Sequence, residues 1–274
     1  VSLALVAALA AGALIGLSLG ALGGGGSILA VPVLLALGES PAQATTGSLV
    51  VVGITSLAGV VTARRAGNVL LARGAAFGAV AIAGAVAGAR ASAAVPEPVL
   101  LASFAALMLV VATLMVIRQV RARRGDGARA AEPRLDDPII TFSPTFMCQC
   151  PRALKVLVTA TAVGLLTGFL GVAGGFLVVP ALTLALALPM TYAAGTSLVV
   201  ITITSASALA TRAGTGTAPD WWLVAALTVT AVAGSVAGAR LAARTDTRRL
   251  SAAFTGLVIL VAACTAASAL PALV

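Results

Sequence analysis

Histidine is absent from the 274 residues of this chain. With it go the commonest general base and the commonest transition-metal ligand, which excludes hydrolytic triads and zinc sites of the usual kind. Charge is scarce too: 9% of residues are Asp, Glu, Lys or Arg, where soluble domains carry about a quarter. Aromatic residues make up only 4%, yet 60% of the chain is hydrophobic and the mean hydropathy is +1.13. Those values exclude an ordinary water-soluble domain. Small residues are what the chain has in abundance, with 29 glycines and a large excess of alanine, and small side chains let membrane helices approach closely. The composition is that of an all-α, polytopic membrane protein embedded in a lipid bilayer.

Uncharged runs give the number of segments, because a helix needs about 20 apolar residues to cross the hydrocarbon core. Ser40 to Ala63, Gly74 to Ala89, Pro98 to Ile117, Trp221 to Ala239 and Leu250 to Val274 each carry no charge. Val1 to Gly38 and the apolar stretch that opens at Val156 are long enough to hold more than one segment each. Eight to ten membrane segments follow, with almost nothing left for a soluble domain. The first run lacks a basic n-region and continues past any cleavage site, so it reads as a membrane segment and not as a secretory leader.

The chain repeats itself. Residues 83 to 90 read Ala-Gly-Ala-Val-Ala-Gly-Ala-Arg and residues 233 to 240 read Ala-Gly-Ser-Val-Ala-Gly-Ala-Arg, differing at one position. Gly16, Gly20, Gly23, Gly26 and Pro32 fall on Gly164, Gly168, Gly171, Gly174 and Pro180. Pro41 matches Pro189, Ser48-Leu49 matches Ser197-Leu198, Thr55-Ser56 matches Thr204-Ser205, and Phe104 matches Phe254. We therefore expect one membrane repeat over 1–118, a linker over 119–152 and a second repeat over 153–274. Arginines and prolines crowd the polar linker, which we expect in the cytoplasm because basic loops stay on that side.

Counting basic residues orients the repeats. With the second copy inverted, 15 of the 17 fall on the linker's face and only Arg90 and Arg212 lie opposite. A parallel arrangement divides them 12 to 5, so the positive-inside rule selects two inverted-topology repeats. Inversion needs an odd number of crossings per copy, and about five segments are visible in each: 3–22, 27–38, 44–63, 74–93 and 98–117, then 154–171, 175–187, 193–211, 221–239 and 250–269.

The second segment of each copy is too short to span. Ser27 to Gly38 and Gly175 to Ala187 would each run roughly 18 Å as helix. Each follows a glycine cluster and contains a proline. Broken helices at matching places in inverted repeats point to a transporter's binding site. Glycines leave backbone N–H groups open to a ligand, and a half-helix N-terminus carries partial positive charge, which suits an anion. The competing reading, tight helix packing, is the better one for Gly16, Gly20, Gly84, Gly88, Gly234 and Gly238, which have small-xxx-small spacing.

These residues carry a family resemblance. Gly23-Gly24-Gly25-Gly26-Ser27, Val31-Pro32, Pro41 and Thr46-Gly47-Ser48-Leu49 recur as Gly171-Val172-Ala173-Gly174-Gly175, Val179-Pro180, Pro189 and Gly195-Thr196-Ser197-Leu198. The doubled pattern resembles the TauE/SafE family of bacterial sulfite and organosulfur-anion exporters over nearly the whole chain. Ser27 stands where that family usually has a further glycine, and Ala173 replaces one in the second copy. The resemblance implies a transporter of a small sulfur-containing anion in the bacterial inner membrane, with no cofactor, no bound metal and no catalytic step.

The candidate substrate-binding residues are Gly24, Gly25, Gly26, Ser27, Gln43, Thr46 and Ser48 from the first copy, with Ala173, Gly174, Gly175, Tyr192, Thr196 and Ser197 from the second. Hydroxyls and amides can donate to sulfite or sulfonate oxygens without the cost of burying a full charge. Their bland alternative is bonding back to carbonyls of their own helix. Thr202, Thr204 and Ser205 read as interhelical glue. Glu39 is a candidate for proton coupling or an interfacial carboxylate in solvent, and its counterpart is Ala187. Arg90 and Arg240 end matching helices, where they snorkel to headgroups or attract anions. Cys148-Gln149-Cys150 leaves open a membrane thiol-redox protein as the reading of a different class, and an importer or permease for another anion is the rival within transport. The sequence pI of about 11.4 does not mark nucleic-acid binding, because the arginines flank membrane segments with no stacking aromatics between them.

Overall fold

The computed structural model describes residues 3–92, 150–170, 175–185, 188–212 and 218–246, with parts of 106–120 and 249–260. All regular structure among the described residues is helical. Among the described residues there are eight helices: α1 Leu3–Leu22, α2 Ser27–Ala36, α3 Pro41–Arg65, α4 Leu71–Ser92, α5 Cys150–Leu170, α6 Gly175–Ala185, α7 Met190–Arg212 and α8 Trp221–Ala243. The fifth segment of each copy lies only partly within the described residues. What is described of it is helical and sends Val111, Met115, Leu250 and Phe254 into the core. Most of the linker, with Cys148, and Cys264 fall outside the described residues, while Cys150 opens α5.

Local sequence fixes the helix ends. Ser40 caps α3 in a capping box, its Oγ accepting from the Gln43 N–H while Gln43 Oε1 accepts from the Ser40 N–H, and Pro41 occupies the first helical position. Asp220 caps α8 by accepting from the N–H groups of Trp222 and Leu223. At the other end of α3, Gly67 takes φ 73° and the N–H groups of Gly67 and Asn68 donate to the carbonyls of Arg64 and Ala63. That pairing closes the helix by the Schellman motif, and Gly38 closes α2 in the same way.

Among the described residues, four helices are long and apolar enough to cross a membrane, within α3, α4, α7 and α8. Their outward faces keep Ile54, Leu57, Trp222 and Val229 exposed, a pattern that suits lipid and not water. Between helices the seams are lined by small residues. Cβ atoms added at Gly16 and Gly20 of α1 would strike the backbone of Ala231 and Ser235 in α8, and those added at Gly234 and Gly238 of α8 would strike α1 at Ala13 and Leu17. The same seam recurs between α5 and α4: Gly164 and Gly168 sit on Ala81 and Ala85, and Gly84 sits on Thr161. Each position in one seam has its counterpart in the other at the repeat offset. The first helix of each copy thus packs on the fourth helix of the other.

Helix directions follow from these pairings. Along α1 and α8 the contacting numbers rise together, so the two are parallel, as are α4 and α5. Gly53 of α3 meets Ser205 and Gly59 meets Leu198, so α3 and α7 are antiparallel. After Leu22 the chain turns back. Gly26 packs on Ile15 and Leu19, while Leu34 shares a cluster with Ala8, so α2 retraces α1 toward the end where α1 began. The pair α1–α2 therefore re-enters without a net crossing, and α3 and α4 then cross in opposite directions. Arg64, Arg65 and Arg73 lie at the bundle end that also holds Arg240 and Arg244, and the C-termini of α4 and α7, with Arg90 and Arg212, lie at the other.

Candidate functional site

The break after α1 is made by glycine. Gly23 adopts φ 72°, and a Cβ there would lie 2.7 Å from the backbone of Ala194 in α7 and 2.6 Å from Ser197 Oγ. Both facts leave room for glycine alone. Gly24, Gly25 and Gly26 then form one buried 3₁₀ turn that leads into α2. Ser27, fully buried, starts that helix and donates from Oγ to the Gly24 carbonyl at 2.6 Å. Gly25 faces the Phe254 ring, where an added Cβ would lie at 3.3 Å.

Gly175, the first residue of α6, lies against Ser27. A Cβ on Gly175 would be 2.8 Å from Ser27 Oγ and 2.7 Å from the tip of Ile201. The starts of the two short helices thus meet in the buried middle of the bundle. A helix start leaves its first N–H groups without intrahelical partners and carries about half a unit of positive charge. Two such starts converge here; in the first copy the start is the 3₁₀ turn Gly24–Gly26, since the Ser27 N–H already donates to the Gly24 carbonyl. Ala173 and Gly174 lie outside the described residues.

The polar candidates divide by what they bond. Ser48 and Ser197, matching positions in the two copies, are buried and donate to the carbonyls of Thr45 and Ala194 at 2.8 and 2.7 Å. Their oxygens remain acceptors within the helix, and Ser197 touches the Gly23 turn. Thr196 is committed elsewhere: its Oγ1 accepts the Leu70 N–H at 3.2 Å, which ties the start of α4 to α7. Gln43 lies away from the break, closing the Ser40 capping box and donating from Nε2 to the Ala218 carbonyl at 3.1 Å. Thr46 is buried and Tyr192 half-buried near the starts of α3 and α7. Glu39 sits at the end of α2, where Oε1 accepts the Asp220 N–H at 2.9 Å and Oε2 is shielded from solvent without a partner.

One expectation is corrected. Thr202 and Thr204 do not bond between helices; Thr202 Oγ1 donates to the Leu198 carbonyl and Thr204 Oγ1 to those of Val200 and Ile201, all in α7. A threonine in a helix reaches the carbonyl one turn back more easily than a neighbouring helix. Sequence reasoning also passed over Thr55 and Ser56 except as a repeat match. Both are fully buried in α3, and neither hydroxyl has a hydrogen-bond partner among the described residues.

The sequence model described as sulfite exporter TauE/SafE matches residues 8–265. The chain belongs to the TauE/SafE family. Two relatives of this TauE/SafE chain come from Xylella fastidiosa, strains Temecula1 and 9a5c, and each is named a probable membrane transporter protein. They are 35% and 34% identical to it over 196 residues, which is 71% of this chain and 68% of theirs. No solved structure matches it. As a TauE/SafE member with at least four membrane-spanning helices, the protein is a multi-pass membrane transporter.

Proposed function

We propose that this transporter carries a small sulfur oxyanion, sulfite or an organic sulfonate, outward across the bacterial inner membrane by alternating access. The observation that carries the reading is the buried meeting of two short-helix starts at Ser27 and Gly175 in a chain of the sulfite exporter family. The two repeats, 1–118 and 153–274, are inverted with respect to each other, and the linker over 119–152 is cytoplasmic. Reciprocal seams and the shared end of Arg64, Arg65, Arg240 and Arg244 support both statements.

No ionised side chain is needed to hold the anion. Backbone N–H groups and hydroxyls give a charged ligand about 1.5–3 kcal/mol per hydrogen bond, and the helix ends add partial positive charge that requires no counter-ion. A site without a fixed charge releases its ligand as readily as it takes it up, as turnover requires. Substrate-binding residues on this reading are Gly24, Gly25, Gly26 and Ser27 with Gly174, Gly175 and Ser197. Gln43, Thr196 and Glu39, tied to neighbouring backbone, position the helices around the site.

Flux into proteoliposomes, compared across sulfite, thiosulfate, sulfoacetate, sulfate and chloride with and without a pH gradient, tests the proposal. Saturable flux of sulfite or sulfoacetate above the other anions is expected, abolished by Gly25→Val or Gly174→Val in protein that still folds. Equal flux of chloride, or no flux of any sulfur anion, would overturn it. Replacing Cys148 and Cys150 by serine should leave the flux unchanged; its loss would favour a thiol-redox protein.

A further inference from the structure

Thr55 and Ser56 are exceptional among the buried hydroxyls of the bundle. Along the spanning helices the hydroxyls of Ser48, Thr62, Ser197, Thr202, Thr204, Thr228, Thr230 and Ser235 bond to a carbonyl three or four residues back. That bond is available at any position of a helix interior, and it costs nothing but a rotamer choice. Thr55 Oγ1 and Ser56 Oγ are fully buried without making it or any other. An unsatisfied buried hydroxyl costs about 1–3 kcal/mol, so two adjacent ones in a membrane helix require an explanation.

Position supplies one. Helical spacing places Thr55 on the same stripe of α3 as Ser48 and Val52, and Ser56 between Gly53 and Gly59. Gly53 packs on Ser205 and Gly59 on Leu198, so this stripe faces α7. Val52, one turn from Thr55 and Ser56, shares a cluster with Leu198 and Ile201. Ile201 touches Gly175, and Ser197 touches the Gly23 turn. The two free hydroxyls therefore stand on the layer of side chains that backs the meeting of the short helices. In the second copy Thr204, the counterpart of Thr55, bonds within α7, while Ser205, the counterpart of Ser56, is buried against Gly53.

We propose that Thr55 and Ser56 are substrate-binding residues whose hydroxyls donate to the oxygens of the transported oxyanion, an inference that rests on the transport reading above. A pyramidal or tetrahedral oxyanion presents several acceptor oxygens to which these two donors can bond.

Thr55→Val keeps the shape and removes the hydroxyl, and Ser56→Ala does the same at its neighbour. In proteoliposomes each variant should raise the KM for sulfite about tenfold or more, the range for losing a hydrogen bond to a charged ligand. Thr55→Ser should restore it, and Thr204→Val should leave KM unchanged. Stability supplies the second readout: removing a bonded hydroxyl lowers the melting temperature in detergent, whereas removing an orphan leaves it level or raises it. Unchanged KM in Thr55→Val and Ser56→Ala, with wild-type flux intact, would overturn this inference alone. A lowered melting temperature with unchanged KM would assign the pair a structural role and also overturn it. A shift in sodium dependence in place of sulfite KM would overturn it in favour of a cation site. Absence of flux in the wild type would instead remove the transport reading itself.

Discussion

Glu39 shows how one side chain can be read two ways. Proton coupling asks for a carboxylate that faces the permeation route; Glu39 instead accepts the N–H of Asp220 and so fastens the end of α2 to the start of α8. Glutamine retains an acceptor oxygen and alanine does not. We expect Glu39→Gln to transport at the wild-type rate with its response to a pH gradient intact, and Glu39→Ala to lose about 1 kcal/mol of stability. Thermal melts and flux with an imposed pH gradient check both; a Glu39→Gln protein blind to the gradient would return the carboxylate to coupling. At this scale the sequence was partly legible. The doubled motif marked Ser48 and Ser197, and both are buried, Ser197 against the Gly23 turn. The partner of Glu39 was not legible, because Asp220 lies 181 residues away and only the folded bundle brings it near. Thr55 and Ser56 escaped notice for a related reason, since a rotamer and not a residue type decides whether a hydroxyl is free.

Among the elements, the seams between α1 and α8 and between α4 and α5 carry the assembly. Lipid tails are as apolar as leucine, so these helices associate by close packing and not by escape from water. Glycine at each crossing lets backbone meet backbone. Gly16→Leu and its counterpart Gly164→Leu should therefore destabilise the protein to similar extents, by about 1–3 kcal/mol or by preventing folding. Melting temperature and monodispersity in detergent measure this; a large effect of one and none of the other would show that the two seams are not equivalent. Sequence spacing showed that the second segments could not span, because length alone decides that. It did not show that α2 returns along α1, since hydropathy measures how long a segment is and not which way it points.

For the whole molecule, helix directions make a prediction about sidedness. Gly38 and Ala218 lie at one end of the bundle, Gly67 and Thr245 at the other. Single cysteines at these positions, in a background with Cys148, Cys150 and Cys264 replaced, should react with an impermeant maleimide in two groups: Gly38 with Ala218 from one side, Gly67 with Thr245 from the other. Labelling of Gly38 together with Gly67 would contradict the crossing of α3. The count of basic residues in the sequence makes the same division an expectation, which the labelling tests.

The two glycine seams are equal in space but not in time. Ala81 and Gly164 are near enough in the chain for α4 and α5 to pair soon after both leave the ribosome. Gly16 must wait for Ala231, more than two hundred residues later, which at about 5–20 residues per second is a delay on the order of 10–40 s. During that interval the α1–α2 hairpin stands in the membrane without the helix against which its glycines pack. Biogenesis of this transporter is thus sequential where its architecture is reciprocal, and the α1–α2 hairpin, made long before α8, waits for it to find its place.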